Sequence, residues 1–206
     1  MLQSYYNFNK HLEAGVDEAG CGCLAGPVFA AAVILPFDFH DERIRDSKKL
    51  SEKSRNLLAD VVKSESLAFA IEMVQPEEID RINILNARIK AMHMALERLH
   101  IKPQYIIVDG DRFHNYENIP HTCIIDGDNL YYSIAAASII AKQARDAYML
   151  KIHHLYPQYG WDKNKGYGTA KHMEAIRQFG ITNYHRKSYA PVAGCPMCQT
   201  ITSTFK

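Results

Sequence analysis

The sequence predicts an α/β domain that carries a helical, basic C-terminal part. Short apolar runs bounded by Gly or Pro alternate with stretches whose apolar residues recur at helical spacing, the pattern of strands laid between helices. With 206 residues, 47% of them hydrophobic and 23% charged, the chain can bury a core of its own, which excludes disordered, collagenous and membrane-embedded classes. Its Lys and Arg residues gather late in the sequence.

Leu12 to Asp17 reads as a first strand, in a segment broken by Gly15, Gly20 and Gly22. Pro27 opens a second strand, Val28 to Leu35, whose unbroken apolar character suits burial on both faces, and Pro36 closes it. Asp46-Ser47-Lys48-Lys49-Leu50 is a polar loop. Ser51 then caps a helix with Glu52 in its first turn and Leu57, Leu58, Val61 and Val62 at helical spacing. Leu67 to Val74 is a third strand. From Asn83, the residues Leu85, Ile89, Met92, Leu96 and Leu99 fall on one helical stripe ending near His100, read as core packing. Tyr105 to Val108 and Thr122 to Ile125 are β-rich runs that end in acids, the first at Asp109 and the second at Asp126-Gly127-Asp128. A long helix over Tyr132 to Leu155 carries Ala137, Ala141 and Ala144 on a face suited to close packing, and a further helix is predicted from Thr169 to Phe179. Residues 1–192 thus form one domain, its basic helical part spanning about 142–192, and 193–206 read as a loosely held tail.

A formal net charge of +1 argues, taken alone, against a nucleic-acid partner. The average hides a split. Residues 1–141 hold 14 Lys and Arg against 20 Asp and Glu, whereas residues 142–206 hold 10 against 3. An acidic portion able to hold cations is followed by a basic portion able to hold a phosphate backbone.

Five cysteines, an odd count without regular spacing, read as reduced thiols, and Cys21 with Cys23 or Cys195 with Cys198 supplies only half a zinc set. Oxidation of Cys21 and Cys23 would distort their loop, so redox sensitivity is an expectation to test. Met1 to Lys10 lacks an apolar signal segment, and no run reaches the ~18 apolar residues of a membrane span. The chain is expected to be cytoplasmic.

Asp17 and Glu18 stand side by side where an otherwise apolar strand meets glycines, and Asp109 and Asp128 lie just past other buried runs. Neighbouring strand residues point to opposite faces, so the pair is expected to converge where the strand breaks. Carboxylates gathered at strand ends repel one another unless cations join them, and Mg²⁺ or Mn²⁺ favours such oxygen ligands. Two such ions ~4 Å apart clamp a phosphodiester for in-line displacement. The acidic motifs contain no His, so the ions rather than a dedicated protein base would activate the water.

Ala14-Gly15-Val16-Asp17-Glu18-Ala19-Gly20, Leu24-Ala25-Gly26-Pro27-Val28, Asp46-Ser47-Lys48-Lys49-Leu50, Val108-Asp109-Gly110 and Gly127-Asp128 are followed by Ala135-Ala136-Ala137-Ser138-Ile139-Ile140-Ala141-Lys142, Lys165-Gly166-Tyr167-Gly168-Thr169 and His185-Arg186-Lys187-Ser188-Tyr189. This series resembles the motifs of bacterial ribonuclease HII, in family order from about Leu12 to Val192. The resemblance implies a ribonuclease H-like fold, a mixed central sheet flanked by helices with a C-terminal helical segment. It implies endonucleolytic cleavage of RNA in RNA/DNA hybrids and 5′ of ribonucleotides embedded in duplex DNA, leaving 3′-hydroxyl and 5′-phosphate ends. Asp17, Glu18, Asp109 and Asp128 would be the catalytic, metal-holding acids for two Mg²⁺ or Mn²⁺ ions. Gly20, Cys21 and Gly22 would read the ribose, and Tyr167 would stack on the following sugar. Ser47, Lys48, Lys49, Lys142, Lys165, His185, Arg186 and Lys187, with Arg145, would grip the backbone, and Asp146 would orient cations. The enzyme is expected to act as a monomer.

The family has Arg where this chain has Cys21, and more often Lys where it has Asp126. Gly20 and Gly22 still allow close approach to the sugar, but the lost guanidinium removes a phosphate contact of ~1.5–3 kcal/mol. Cys21→Arg is therefore expected to raise activity. Asp126 reads either as an auxiliary acid beside the site or, the preferred reading, as an acid that points to solvent. Two competing readings follow: another ribonuclease H-like nuclease, such as a junction resolvase, and a protein that binds hybrids without cutting them.

Overall fold

The computed structural model describes residues 2–7, 12–44, 47 and 50–197. Five strands form one mixed sheet: β1 (Glu13–Ala19), β2 (Val28–Ile34), β3 (Ala68–Val74), β4 (Tyr105–Asp109) and β5 (His121–Ile124), in the order β3-β2-β1-β4-β5. β2 is antiparallel to both neighbours, while β1, β4 and β5 run parallel. The helices are α1 (Glu52–Glu65), α2 (Pro76–Arg98), α3 (Tyr132–Leu155), a four-residue α4 (Trp161–Asn164) and α5 (Ala170–Phe179). The expected mixed sheet flanked by helices is thus present. α4 had no signal in the sequence.

Strand periodicity sorts the core into two layers. Ala14, Val16, Val28, Ala30, Ile106 and Val108 face α2, whereas Ala31 and Val33 face α1 and α3. Gly15 makes the second layer possible: a Cβ there would strike the Ser133 backbone, so α3 lies directly on β1. Ser51 caps α1 as predicted, its hydroxyl accepting from the Ser54 amide at 3.1 Å. α2 begins earlier than predicted, at Pro76, but breaks at Asn83, whose φ is 66°. The Asn83 side chain then accepts from the Asn86 amide at 3.1 Å, so the predicted helix does begin where the sequence placed its start.

A third cluster joins the C-terminal part to the sheet domain. Leu24, Met149 and Ile152 pack with Tyr159, Trp161, Ile176 and Ile181, and Trp161 is fully buried. The tail expected after Val192 holds on further than predicted. The Ile181 amide donates to the Pro196 carbonyl at 2.8 Å and Ile181 bridges Met197. Residues 198–206 lie outside the described residues.

Candidate active site

Asp17 and Glu18 are not past the end of β1. The strand runs on to Ala19, so the two acids point to opposite faces, Asp17 towards Ser138 of α3 and Glu18 towards Arg88 of α2. The expectation that they converge at a strand break is therefore corrected. They share a site because it lies across the end of the sheet, where both faces open. Parallel pairing of Val16 with Val108 sets Asp17 beside Asp109 in the next strand. Asp109 accepts from the Gly127 amide at 2.8 Å; the next residue in that turn, Asp128, is buried, accepts from the Asn129 side chain at 2.9 Å and is not among the residues lining the cavity. Asp126 starts the turn at a φ of 55° and faces solvent, as expected.

A cavity of about 230 Å³ collects Asp17, Glu18 and Asp109 with Gly20, Cys21, Gly22, Ser47, Ser138, Lys142 and Tyr167. Larger hollows, about 470 Å³ beside His93 and about 390 Å³ beside Glu72, lack such converging acids. Burial holds the Asp17 carboxyl well above the usual range, helped by the charges of Glu18 and Asp109. Glu18 keeps one buried carboxylate oxygen, Oε2, without a hydrogen-bond partner. No three His, Cys, Asp or Glu side chains among the described residues are grouped closely enough to chelate one ion as they stand. Their partners explain the spread, since Arg88 draws Glu18 and Gly127 holds Asp109.

The loop after β1 is shaped from the far end of the chain. Arg186 donates to the carbonyls of Gly20 at 2.6 Å, Cys21 at 2.7 Å and Gly26 at 3.0 Å, and Tyr189 adds a bond to Cys21 at 2.7 Å. Gly20 itself, at a φ of 99°, lies against the Arg145 side chain where a Cβ has no room. A polar loop thus closes one wall of the acidic cavity.

A model of the family described as Ribonuclease HII matches residues 14–192. The chain belongs to the ribonuclease HII family. Ribonuclease HII of Bacteroides thetaiotaomicron is 55% identical over 189 residues, covering 92% of this chain and 94% of the relative. That of Parabacteroides distasonis is 57% identical over the same length and shares. Among solved structures, ribonuclease H2 of Pyrococcus horikoshii OT3 superposes with a TM-score of 0.73 at 26% identity, over 87% of this chain and 94% of that one. Bst-RNase HIII in complex with Mn²⁺ shares the fold, with a TM-score of 0.67 at 18% identity over 87% and 67% of the two chains. The chain is accordingly an endonuclease that hydrolyses RNA in RNA/DNA hybrids, as its motifs implied.

The residues predicted to contact the substrate divide. Tyr167, 46% exposed, and Lys142 reach the cavity, and Lys142 is steered by Asp146, which also pairs with buried Arg55 at 3.0 Å. Ser47 lines the cavity, its hydroxyl tied to Ser138 at 2.9 Å. Lys165 lies 3.7 Å from Glu52, and exposed Lys187 sits in a turn whose amides Asp80 holds at 2.8–2.9 Å. Lys48 and Lys49 lie outside the described residues. Arg145, His185 and Arg186 are corrections: all three are fully buried, so none presents its side chain to a phosphate. Their sequence motif marks loop scaffolding instead, Arg145 bonding the carbonyls of Ala25, Pro27 and Lys165. Arg88 was missed, because its place on a helix stripe said nothing of β1. The two loop thiols have separate partners, Cys21 at Glu18 and Cys23 at Tyr167. Burial and the Glu18 charge push the Cys21 thiol up, which disfavours its thiolate.

His185 belongs to a buried neutral relay that supports Tyr167. His172 Nδ1 donates to the Tyr167 carbonyl at 2.9 Å, so its Nε2 accepts from Trp161 at 3.1 Å and from His185 Nε2 at 3.2 Å. His185 Nδ1 in turn accepts from the Thr182 amide at 2.9 Å. A proton added to either ring would set donor against donor. Burial lowers both rings, His185 to about 3 with help from His172. Since the unfolded histidines bind protons first, this stability is present above about pH 6.5 and is lost as pH falls towards the folded values. Imidazole NMR should find His185 still neutral at pH 5.5 and His172 titrating below 6.5, and signals of both rings titrating near 6.5 would refute the relay.

Proposed function

We propose that this cavity hydrolyses the RNA strand of RNA/DNA hybrids and also cuts 5′ of single ribonucleotides embedded in duplex DNA, leaving 3′-hydroxyl and 5′-phosphate ends. The observation that carries the reading is that Asp17, Glu18 and Asp109 share one cavity with the Gly20-Cys21-Gly22 loop and Tyr167. Cleavage chemistry and ribose recognition then meet at one phosphodiester.

The donor set fits hard divalent cations, being all carboxylate, with a buried Glu18 oxygen that lacks a hydrogen-bond partner and an Asp17 charge that burial disfavours. Asp17, Glu18, Asp109 and Asp128 would hold two Mg²⁺ or Mn²⁺ ions, which when bound supply water activation and charge stabilisation at the leaving oxygen. Arg186 takes up the loop carbonyls, leaving the Gly20 to Gly22 backbone to approach a 2′-hydroxyl from a fixed position. Tyr167 offers its ring to the next sugar. Lys142, oriented by Asp146, places a cation beside the phosphate, and Lys165 and Lys187 extend the basic side. The Mn²⁺ complex of the fold relative Bst-RNase HIII is consistent with this metal class. We read the enzyme as a monomer acting in the cytoplasm; no helix among the described residues is long and apolar enough to cross a membrane.

The test is cleavage of three matched duplexes, an RNA/DNA hybrid, a DNA duplex with one ribonucleotide and an all-DNA duplex, in Mg²⁺ and in Mn²⁺. Cutting of the first two only is expected. Cutting of all-DNA, or indifference to the single ribonucleotide, would overturn the substrate assignment.

A further inference from the structure

We propose that Arg88 is a substrate-binding residue, the cation that grips a backbone phosphate beside the Gly20-Cys21-Gly22 loop. This rests on reading the acidic cavity as the hydrolytic site. Arg88 reaches from α2 to the tips of β1 and β4: Nη1 lies 3.3 Å from Glu18 Oε1, and Nη2 lies 3.7 Å from Asp111, itself an exposed acid. The same Glu18 oxygen accepts from the Cys21 thiol at 3.3 Å. Cation, loop and acid therefore meet at one atom.

Arg145 and Arg186 show how a purely structural arginine is used in this molecule, each placing Nε, Nη1 and Nη2 on carbonyl oxygens within 3.2 Å. Arg88 is different. Its Nη2 contact is too long for a hydrogen bond and its side chain is 17% exposed at the site's edge, while its Nε, like that of Arg55, is buried with no hydrogen-bond partner. A guanidinium with an unspent outer nitrogen, next to a loop that on the proposed reading receives a phosphodiester, can donate to a phosphate oxygen. Glu18 is committed to ion binding in the proposed mechanism, which frees Nη1 as well. The position that lacks a cation at Cys21 thus has one supplied from α2.

Binding of a fluorescent RNA/DNA hybrid, measured by anisotropy across a salt series with Ca²⁺ in place of Mg²⁺ or Mn²⁺ so that the acids are occupied, tests this. Arg88→Ala should bind about tenfold to a hundredfold more weakly, with a log–log salt slope shallower by about 0.9. Arg88→Lys should fall between. Arg98→Ala, on the same helix but exposed and paired with Glu72 at 3.0 Å, should match wild type. Cys21→Arg should restore binding in the Arg88→Ala background and raise it by a smaller factor in wild type, where two guanidinium groups would crowd Glu18. Should Arg88→Ala fold poorly, Arg88→Gln against Arg88→Lys makes the same comparison. If the neutral variants keep wild-type affinity and salt slope while calorimetry shows tighter Mn²⁺ uptake, Arg88 is only a counter-ion for Glu18 and the proposal fails. A wild type that binds the hybrid but does not cut it in Mn²⁺ would instead defeat the reading of the site.

Discussion

Asp17→Asn should lose at least about a thousandfold in cleavage rate while binding duplex nearly as well as wild type, because a metal-holding charge worth several kcal/mol acts on the reaction and not on the docked backbone. The same variant should be more stable. Asp17 is buried against Ser138, and the charges of Glu18 and Asp109 oppose its ionisation. An isosteric neutral amide relieves both penalties, with a gain of about 1 kcal/mol, or roughly 2–4 °C in Tm for a chain of this size. Single-turnover cleavage, anisotropy and thermal melts on one preparation give all three numbers. Retained cleavage would take Asp17 out of the chemistry, and a lower Tm would contradict the account of its charge.

Arg186→Ala should be the most damaging single change outside the acids. It strips three carbonyls, of Gly20, Cys21 and Gly26, of a charged donor in a fully buried setting. Unsatisfied buried groups cost ~1–3 kcal/mol each, and losses of about 3–5 kcal/mol follow when a buried charge network is broken. Tm should drop by roughly 10 °C. Arg186→Lys keeps the charge but cannot reach all three oxygens, so it should fall between. If instead Arg186 touched phosphate, Arg186→Ala would leave Tm alone and flatten the salt dependence of binding; denaturation and anisotropy series separate the two.

Much of this was legible in the sequence because it is carried by local pattern. The apolar run at Val28–Leu35, the stripe from Asn83 and the long helix from Tyr132 each declare their element through periodicity, and the acids declare themselves by standing in apolar runs. What the sequence hid is what depends on three-dimensional closure. His185 and Arg186 look like surface cations because nothing near them in the chain reveals Trp161, His172 or the Gly20 carbonyls that surround them. Arg88 looked like one more polar position on an amphipathic helix, and only the packing of α2 under β1 brings it to Glu18. The error at Asp17 and Glu18 was geometric: two faces of one strand can serve one site when the site straddles the sheet's end.

The bonds from Arg186 to the loop after β1 span 160 to 166 residues of chain. A ribosome releases those two partners many seconds apart, at ~5–20 residues per second. On the proposed reading, the acids of β1, β4 and the following turn leave the ribosome before the segment that clamps the loop meant to meet the ribose. A nascent chain would then carry its cutting groups without the piece that aims them, and competence would arrive in a single late step of synthesis.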